Sequence, residues 1–194
     1  VKSILVINRK SIELDHPKLK EIIHSDFFNL SPIKEDVKGY NACFFCLGVS
    51  SVGLNEETFH KLTYELTIHF AETVIEQSAD MTFNYVSGAG TDSSEKGSSS
   101  WARVKGKTEN KILGMPFNNA YMFRPGAILP EKGVKSNVGW YNIIYVVLKP
   151  FFPLLKKMKS ITTSTRLGQA MINSILNGYS KKHLENYDIN LLAK

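Results

Sequence analysis

The sequence predicts an α/β fold in which a doubly wound parallel sheet is covered by helices on both faces. Short and continuously apolar runs, such as residues 3–7 and 81–86, are typical of strands that are buried on both faces. Segments with helical spacing of apolar residues separate these runs. This alternation indicates right-handed βαβ crossovers and hence a parallel sheet. Because neither an internal repeat nor a linker is visible, we expect residues 1–194 to form one domain.

The predicted strands and helices alternate along the first two thirds of the chain. Strands are expected at residues 3–7, 23–27, 42–47, 81–86 and 120–123. Helices are expected at residues 16–23, 55–77, 100–113 and 166–176, and from residue 140 onward. Asn55 is a favourable N-cap for the longest helix, in which apolar residues recur every three or four positions. Asp15 and Pro17 are the signals that favour a helix at 16–23.

Composition and charge narrow the possible function classes. Of the 194 residues, 43% are apolar and 22% are charged, as in ordinary globular proteins. The net charge of +6 is spread along the chain, and its densest cluster, 155–159, has no RNA-binding motif beside it. We therefore expect a solvated face rather than a nucleic-acid site.

Membrane insertion and metal binding are not expected. The most apolar stretch, 143–155, is interrupted by a lysine and two prolines, and it is shorter than the ~20 residues that span a bilayer. Cys43 and Cys46 lie three apart on a predicted strand, so they face opposite sides and are poorly placed to share a metal. No signal peptide is recognisable, which favours a cytoplasmic location.

A serine, an aromatic residue and a lysine follow the strand at 81–86 in a spacing that suggests catalysis. Ser87 ends the strand, and Trp101 and Lys105 stand four positions apart on one face of the next helix. A tyrosine at the aromatic position would exchange a proton with a substrate carbonyl while the lysine lowered its pKa. Tryptophan cannot do this with its indole N–H. The catalytic candidates are therefore Ser87, Lys105 and Trp101 in place of tyrosine.

Three other phenols are available as proton donors, at Tyr64, Tyr85 and Tyr121. None has the four-residue relation to Lys105. Tyr85 lies within a predicted strand and is expected in the core, whereas Tyr64 is on the long helix.

The turn that opens a dinucleotide-binding fold is not found in the sequence. Such folds begin with a strand, a glycine-rich turn and a helix N-terminus that receives the pyrophosphate, but no G-x-x-G-x-x-G occurs here. Asn8, Arg9 and Lys10 follow the first predicted strand, where the ribose-binding residue is expected. We therefore expect the sheet to start at its second strand. Arg9 and Lys10 then favour NADP by pairing with a 2′-phosphate, or they are exposed strand-end charges.

In this order the motifs resemble the atypical short-chain dehydrogenase/reductases, particularly NAD(P)-binding proteins of the nucleoside-diphosphate-sugar epimerase-like and Tat-interacting-protein-like types. The resemblance extends from residue 1 to about residue 176. It is carried by residues 6–9, 25–27, 45–50, 85–89 and 123–126 and by the spacing of Trp101 and Lys105. It implies a Rossmann-like doubly wound sheet that lacks the first strand and glycine-rich turn, with residues 127–194 contributing the part that covers the substrate.

The resemblance also implies a cofactor site. Its residues are Asn8, Arg9, Lys10, Asp26, Phe27, Leu47, Gly48, Val49, Ser87, Lys105, Pro125, Gly126 and Ala127. Asp26 and Phe27 would flank the adenine, and residues 47–49 would follow the ribose and pyrophosphate. Ser87 and residues 125–127 would face the nicotinamide, with Lys105 on its ribose.

Two functions remain open from the sequence. The first is an NADP-dependent oxidoreductase or epimerase-like enzyme, with NAD as a possible cofactor, that acts on a small carbonyl or sugar-type substrate. The second is a non-catalytic NADP-binding sensor or interaction module, which Trp101 favours. The presence of Ser87 and Lys105 at the catalytic positions favours the enzyme.

Overall fold

A computed structural model describes residues 1–78, 80–131, 158 and 160–194 of the chain. The strands are β1 (Ile4–Asn8), β2 (Leu19–Ile23), β3 (Ala42–Phe45), β4 (Thr82–Val86), β5 (Asn119–Arg124), β6 (Ala127–Leu129), β7 (Ile161–Thr163) and β8 (His183–Glu185). The α-helices are α1 (Glu56–His60), α2 (Leu66–Gln77), α3 (Ser100–Leu113), α4 (Ser164–Asn177) and α5 (Asn186–Leu192). A π-helical turn, Lys61–Glu65, joins α1 to α2. Short 3-10 turns lie at Ser31–Ile33 and Glu35–Val37.

All strand pairs among the described residues are parallel, which confirms the predicted parallel α/β fold. The largest sheet has the order β3-β4-β5-β8, β1 pairs with β2, and β6 pairs with β7. Helices cover both faces of the largest sheet. Phe45 and Phe83 pack with Phe70 of α2 on one face, whereas Asn84 donates hydrogen bonds to the Met171 carbonyl and Ser174 hydroxyl of α4 on the other.

The sheet is interrupted between β1 and β3. Among the described residues, β1 pairs only with β2 and β3 pairs only with β4. Strands β1 and β3 both line a cavity of about 1640 Å³. We call this cavity, between Ile4–Asn8 and Ala42–Phe45, the slot. Parallel strands are normally covered on both faces, yet Ile4 and Phe44 are 43% and 44% exposed. In the part of the chain that the structure describes, the predicted incomplete sheet is confirmed.

Several elements lie where the sequence predicts them. The Asn55 side chain accepts a hydrogen bond from the Thr58 amide and begins the helical segment that runs to Gln77. The helix at 100–113 has the predicted bounds. The helix predicted from residue 140 lies outside the described residues. No helix in the described part of the chain combines the length and apolarity needed to cross a bilayer.

The predictions for residues 16–27 were wrong. The segment expected to be a short helix contains strand β2. Of the segment expected to be a strand, Ile23 ends β2 and residues 24–27 form a loop. The signals at Asp15 and Pro17 belong to a turn, in which the Leu19 amide donates to the His16 carbonyl. Pairing with β1, including Leu19 opposite Ile4, outweighs the local helix signal because propensity is a weak prior. Strands β6 to β8 and helix α5 were not predicted.

Helix α3 packs tightly against the loop that follows β4. A Cβ added at Gly106 would overlap with the carbonyl oxygen of Asp92, whose own amide bonds to the Ala102 carbonyl. Only glycine therefore allows this approach between helix and loop.

We predict that Gly106→Ala lowers the free energy of unfolding by about 1–3 kcal/mol, since the new methyl group must displace backbone. Gly168→Ala is the matched control. It also lies in a helix, but a Cβ there meets nothing within 4 Å, so it is expected to stabilise by roughly 0.5–1 kcal/mol through helix propensity. Urea denaturation of both variants measures the difference, and equal effects would contradict the packing argument.

Candidate functional site

The sequence-predicted site residues lie at the carboxyl ends of the parallel strands. Residues 8–10 end β1, residues 26–27 follow β2, and residues 47–49 follow β3. Ser87 follows β4 and residues 125–127 follow β5. Parallel strands end on one edge of a sheet, so the segments after β3, β4 and β5 share one edge of the largest sheet, and those after β1 and β2 share one edge of the two-stranded sheet. Edges of this kind are where α/β proteins bind ligands.

One group of candidates lies at the mouth of the slot. Asn8, Arg9, Lys10, Leu47 and Gly48 all line its cavity. Arg9 and Lys10 are exposed at the end of β1. A Cβ added at Gly48 would meet nothing within 4 Å. This part of the edge is therefore open and carries two cations, which suits an anionic ligand.

A second group surrounds the end of β4. Hydrogen bonds from the Ser87 amide to the Phe123 carbonyl, 2.8 Å, and from the Ala89 amide to the Pro125 carbonyl, 2.9 Å, continue the pairing of β4 and β5 past both strands. The Lys105 ammonium donates a hydrogen bond to the Ser87 carbonyl. The structure thus brings Ser87, Lys105 and the segment after β5 together.

The Ser87 hydroxyl points into the protein. It donates to a carboxylate oxygen of Glu109 at 2.5 Å and lies 3.2 Å from the Phe123 carbonyl oxygen. Ser87 is 4% exposed. Lys105 is therefore held by the Ser87 backbone, while the Ser87 side chain anchors β4 to α3.

Glu109 is a buried acid that the sequence reasoning missed. It is fully buried, and its carboxylate accepts two hydrogen bonds from the Arg124 guanidinium, one of them from Nε at 3.0 Å and the other from Nη2. Arg124 Nη1 also lies 3.4 Å from Glu185. The one available signal was that Glu109 stands four positions after Lys105, hence on the same face of α3.

Burial and charge act in opposite directions on the two cations around Glu109. Burial lowers the pKa of Lys105, and the negative charge of Glu109 partly offsets this. Burial also disfavours the Arg124 cation, but the hydrogen bonds and charge of Glu109 outweigh it and raise the pKa of Arg124. Arg124 therefore stays charged as the partner of Glu109, and Lys105 is the more easily deprotonated of the two.

Trp101 packs on the loop that follows β4. Its indole Cη2 lies 3.4 Å from the position where Gly90, with φ +85°, would carry a Cβ. Tryptophan thus shapes the loop beside Ser87.

The other three candidate tyrosines contact different parts of the protein. Tyr85 is 2% exposed, and burial raises the pKa of its hydroxyl. The Tyr121 hydroxyl accepts a hydrogen bond from the Tyr179 amide at 3.0 Å. The Tyr64 ring lies 4.5 Å below the ammonium of Lys107. The expectation that Tyr85 lies in the core is confirmed.

Asp26 and Phe27 have structural partners. A carboxylate oxygen of Asp26 accepts a hydrogen bond from the Phe28 amide at 3.0 Å, which closes a turn. Phe27 is 7% exposed and its ring lies 6.4 Å from that of Phe70. These contacts match the turn-capping and core roles that such residues commonly have.

Comparison with solved structures identifies the fold. The WbmF enzyme of Bordetella bronchiseptica, crystallised with NAD+, superposes with a TM-score of 0.63 over 98% of this chain and 69% of its own, at 11% identity. The chain has the Rossmann-like fold. A dTDP-4-dehydrorhamnose reductase from Bacillus anthracis in complex with NADP gives a TM-score of 0.58 at 11% identity, covering 95% of this chain and 75% of its own. RMD from Pseudomonas aeruginosa, complexed with NADPH, superposes with a TM-score of 0.56 at 10% identity, covering 90% of this chain and 74% of its own.

Sequence comparison finds a more limited similarity. No family model matches the chain. Protein FMP52, mitochondrial, from Debaryomyces hansenii is 27% identical over 119 residues, which cover 58% of this chain and 51% of that protein. The match thus spans about half the length of this relative.

We predict that Glu109→Gln lowers the free energy of unfolding by about 3 kcal/mol, because it leaves the guanidinium of Arg124 without its buried counter-ion. Glu76→Gln is the control. Its 2.8 Å pair with Lys34 has a carboxylate that is 60% exposed, so its loss is expected to cost less than about 1 kcal/mol. Guanidinium denaturation compares the two, and a Glu109 effect as small as that of Glu76 would show that the cluster is not structural.

Proposed function

We propose that the chain is the nicotinamide-dinucleotide-binding part of an oxidoreductase- or epimerase-like protein. The observation that carries this proposal is the position of the site residues relative to the slot. Strands β1 and β2 lie on one side of the slot, and the sheet β3-β4-β5-β8 lies on the other. The chain thus builds its sheet outward in two directions, and ligands of open α/β sheets bind where those directions diverge. Residues 8–10 and 47–48 border that point.

The structural neighbours support this cofactor class. WbmF is crystallised with NAD+, the dTDP-4-dehydrorhamnose reductase is in complex with NADP, and RMD is complexed with NADPH. Exposed Arg9 and Lys10, at the end of β1, favour NADP here because cations in this position can pair with a 2′-phosphate.

Residues on the far side of the slot would hold the nicotinamide end. Lys105 can leave the Ser87 carbonyl to donate to a ribose hydroxyl, while residues 125–127, which follow β5, would line the carboxamide side. When bound, the cofactor would supply hydride transfer. We propose Lys105 for the ribose and residues 125–127 for the nicotinamide. The described residues include no glycine-rich turn for the pyrophosphate.

The proposed substrate is a small carbonyl or sugar-type compound, covered by residues 127–194. Ser87 would influence that side of the site through its backbone, because its hydroxyl is bonded to Glu109. The proposed location of the protein is the cytoplasm.

A non-catalytic NADP-binding module is the second candidate. The packing of Trp101 on Gly90 favours it, because the position that would carry the proton-donating phenol instead holds a loop in place. Three of the other tyrosines, at 64, 85 and 121, contact different parts of the protein.

We predict that Arg9→Ala weakens NADPH binding by about 1.5–3 kcal/mol, the usual contribution of hydrogen bonds to a charged group. NADH, which lacks the 2′-phosphate, is expected to bind the variant and the parent equally. Lys111→Ala is the control, since Lys111 is exposed in the last turn of α3. Calorimetric titration gives the ratio of the two dissociation constants; a parent protein that binds NADPH and NADH equally would refute the NADP preference.

We predict that Trp101→Tyr raises NADPH oxidation with a panel of small carbonyl compounds, measured at saturating cofactor. The new phenol would lie four residues before Lys105 on the same face of α3, and general acid catalysis typically contributes about 10² to 10⁴-fold. Trp101→Phe is the control, since it changes the packing without adding a phenol. Fast turnover by the parent, slowed by both variants, would instead make Trp101 a substrate-shaping residue of an active enzyme.

A further inference from the structure

We propose that Asn186 is a positioning residue for the segment after β5, residues 125–127, and so for the nicotinamide end of a bound cofactor. The role of that segment rests on the proposed function, whereas the contacts through which Asn186 holds it are present in the structure.

The Asn186 side chain bridges two backbone segments. Its carboxamide oxygen accepts a hydrogen bond from the Gly126 amide at 3.2 Å, and its nitrogen donates one to the Ser160 carbonyl. These partners fix which end of the carboxamide is the oxygen, because a backbone N–H only donates and a carbonyl only accepts. Asn186 is 8% exposed, and a buried amide needs such partners. Asn186 therefore ties the segment after β5 to the segment before β7.

Gly126 is packed against this bridge. A Cβ added at Gly126 would lie 2.8 Å from the Asn186 amide nitrogen and 3.1 Å from the Ser160 carbonyl oxygen. Non-bonded atoms pack best at about 3.5–4.0 Å, so a larger residue would push the carboxamide away. From the loop after β4, the Ala89 amide donates a hydrogen bond to the Pro125 carbonyl at 2.9 Å. Two separate elements thus hold the backbone of residues 125–126.

The start of α5 gives Asn186 a fixed position. Arg124 at the end of β5 lies opposite Glu185 of β8, and α5 begins at the next residue. A capping box closes this first turn, because the side chains of Glu185 and Asp188 each accept a hydrogen bond from the backbone amide of the other. The Asp188 carboxylate also accepts one from the Lys181 ammonium at 2.8 Å. Groups that form a binding site need support of this kind, to within about 0.5 Å.

Asn190, one turn later on α5, is a matched comparison. Its carboxamide nitrogen donates to the Ile161 carbonyl at 2.8 Å, and its oxygen accepts from the Thr162 hydroxyl at 2.9 Å. In the described part of the chain, these bonds hold β7 and do not reach residues 125–127. The two asparagines therefore differ in whether they bond the proposed cofactor segment.

The first measurement is amide hydrogen exchange at Gly126 in the free protein. Asn186→Ala removes the acceptor for this amide, so its exchange is expected to become at least about tenfold faster. Asn190→Ala should leave exchange at Gly126 unchanged. Equal exchange in the parent and Asn186→Ala, or the same acceleration in both variants, would overturn the proposal.

The second measurement separates the two ends of the cofactor. NADPH and adenosine 2′,5′-bisphosphate share the adenosine 2′-phosphate, but the bisphosphate carries no nicotinamide. We expect Asn186→Ala to raise the dissociation constant of NADPH about fivefold, the ratio for loss of one ordinary hydrogen bond, and to leave that of the bisphosphate unchanged. A general loss of structure would weaken both ligands. Unchanged NADPH binding, or equal weakening of the two ligands, would overturn the proposal.

Gly126→Ala tests the same contact from the other partner. Its methyl group would displace the Asn186 carboxamide, so weaker NADPH binding with unchanged binding of the bisphosphate is again expected. The two substitutions combined should cost less than the product of their separate fold-changes, because they disrupt one contact. Fold-changes that multiply would show that Gly126 and Asn186 act independently, and would contradict the proposal.

The parent protein separates this proposal from the proposed function. If the parent binds NADPH and Asn186→Ala binds it as tightly, the role of Asn186 is contradicted and the proposed function stands. A parent that binds neither ligand would contradict the proposed function and, with it, the cofactor role of Asn186. Faster Gly126 exchange in Asn186→Ala would even then uphold the hold of Asn186 on residues 125–127.

Discussion

The parallel direction of the strands is the constraint on which the rest of the structure depends. Because β3, β4 and β5 run the same way, their carboxyl ends share one edge, and residues that are distant in sequence meet there. The slot leaves one edge of β1 and one edge of β3 without a strand partner among the described residues, whereas buried backbone N–H and C=O groups are nearly always paired. Among the described residues, candidates 8–10 and 47–48 line the slot between β1 and β3.

Glu109 holds the far side of this edge in place. It joins α3 to the end of β4 through Ser87 and to the end of β5 through Arg124. Lys105, one turn earlier on α3, then reaches the Ser87 carbonyl. The geometry around Lys105 consequently depends on a buried ion pair, in which loss of one partner costs far more than loss of a surface pair. An enzyme and a non-catalytic module would both need this cluster to keep the two strand ends together.

Local signals in the sequence predicted the parts of the fold that local contacts determine. Asn55 marked a helix start because its own side chain caps that helix, and α3 followed from its apolar spacing. Strand β2 was missed because its pairing with β1 is not encoded near Asp15 and Pro17. The Glu109–Arg124 pair was missed because the two residues belong to different elements, and only the packing of α3 against the sheet brings them together. Asp26 and Phe27 show the opposite case, in which the position was predicted but the role was not. They follow β2 as expected, but the Asp26 side chain closes a turn and the Phe27 ring is buried in the core.

The central claim is that residues on both sides of the slot form one dinucleotide site. Amide chemical shifts during titration of the isotope-labelled protein with NADPH test it directly, because Gly48, Gly88 and Gly126 mark the ends of three strands. The account predicts that all three amides shift along one saturation curve while Gly168, on α4, does not move. Shifts confined to one side of the slot, or a Gly168 shift of equal size, would contradict it.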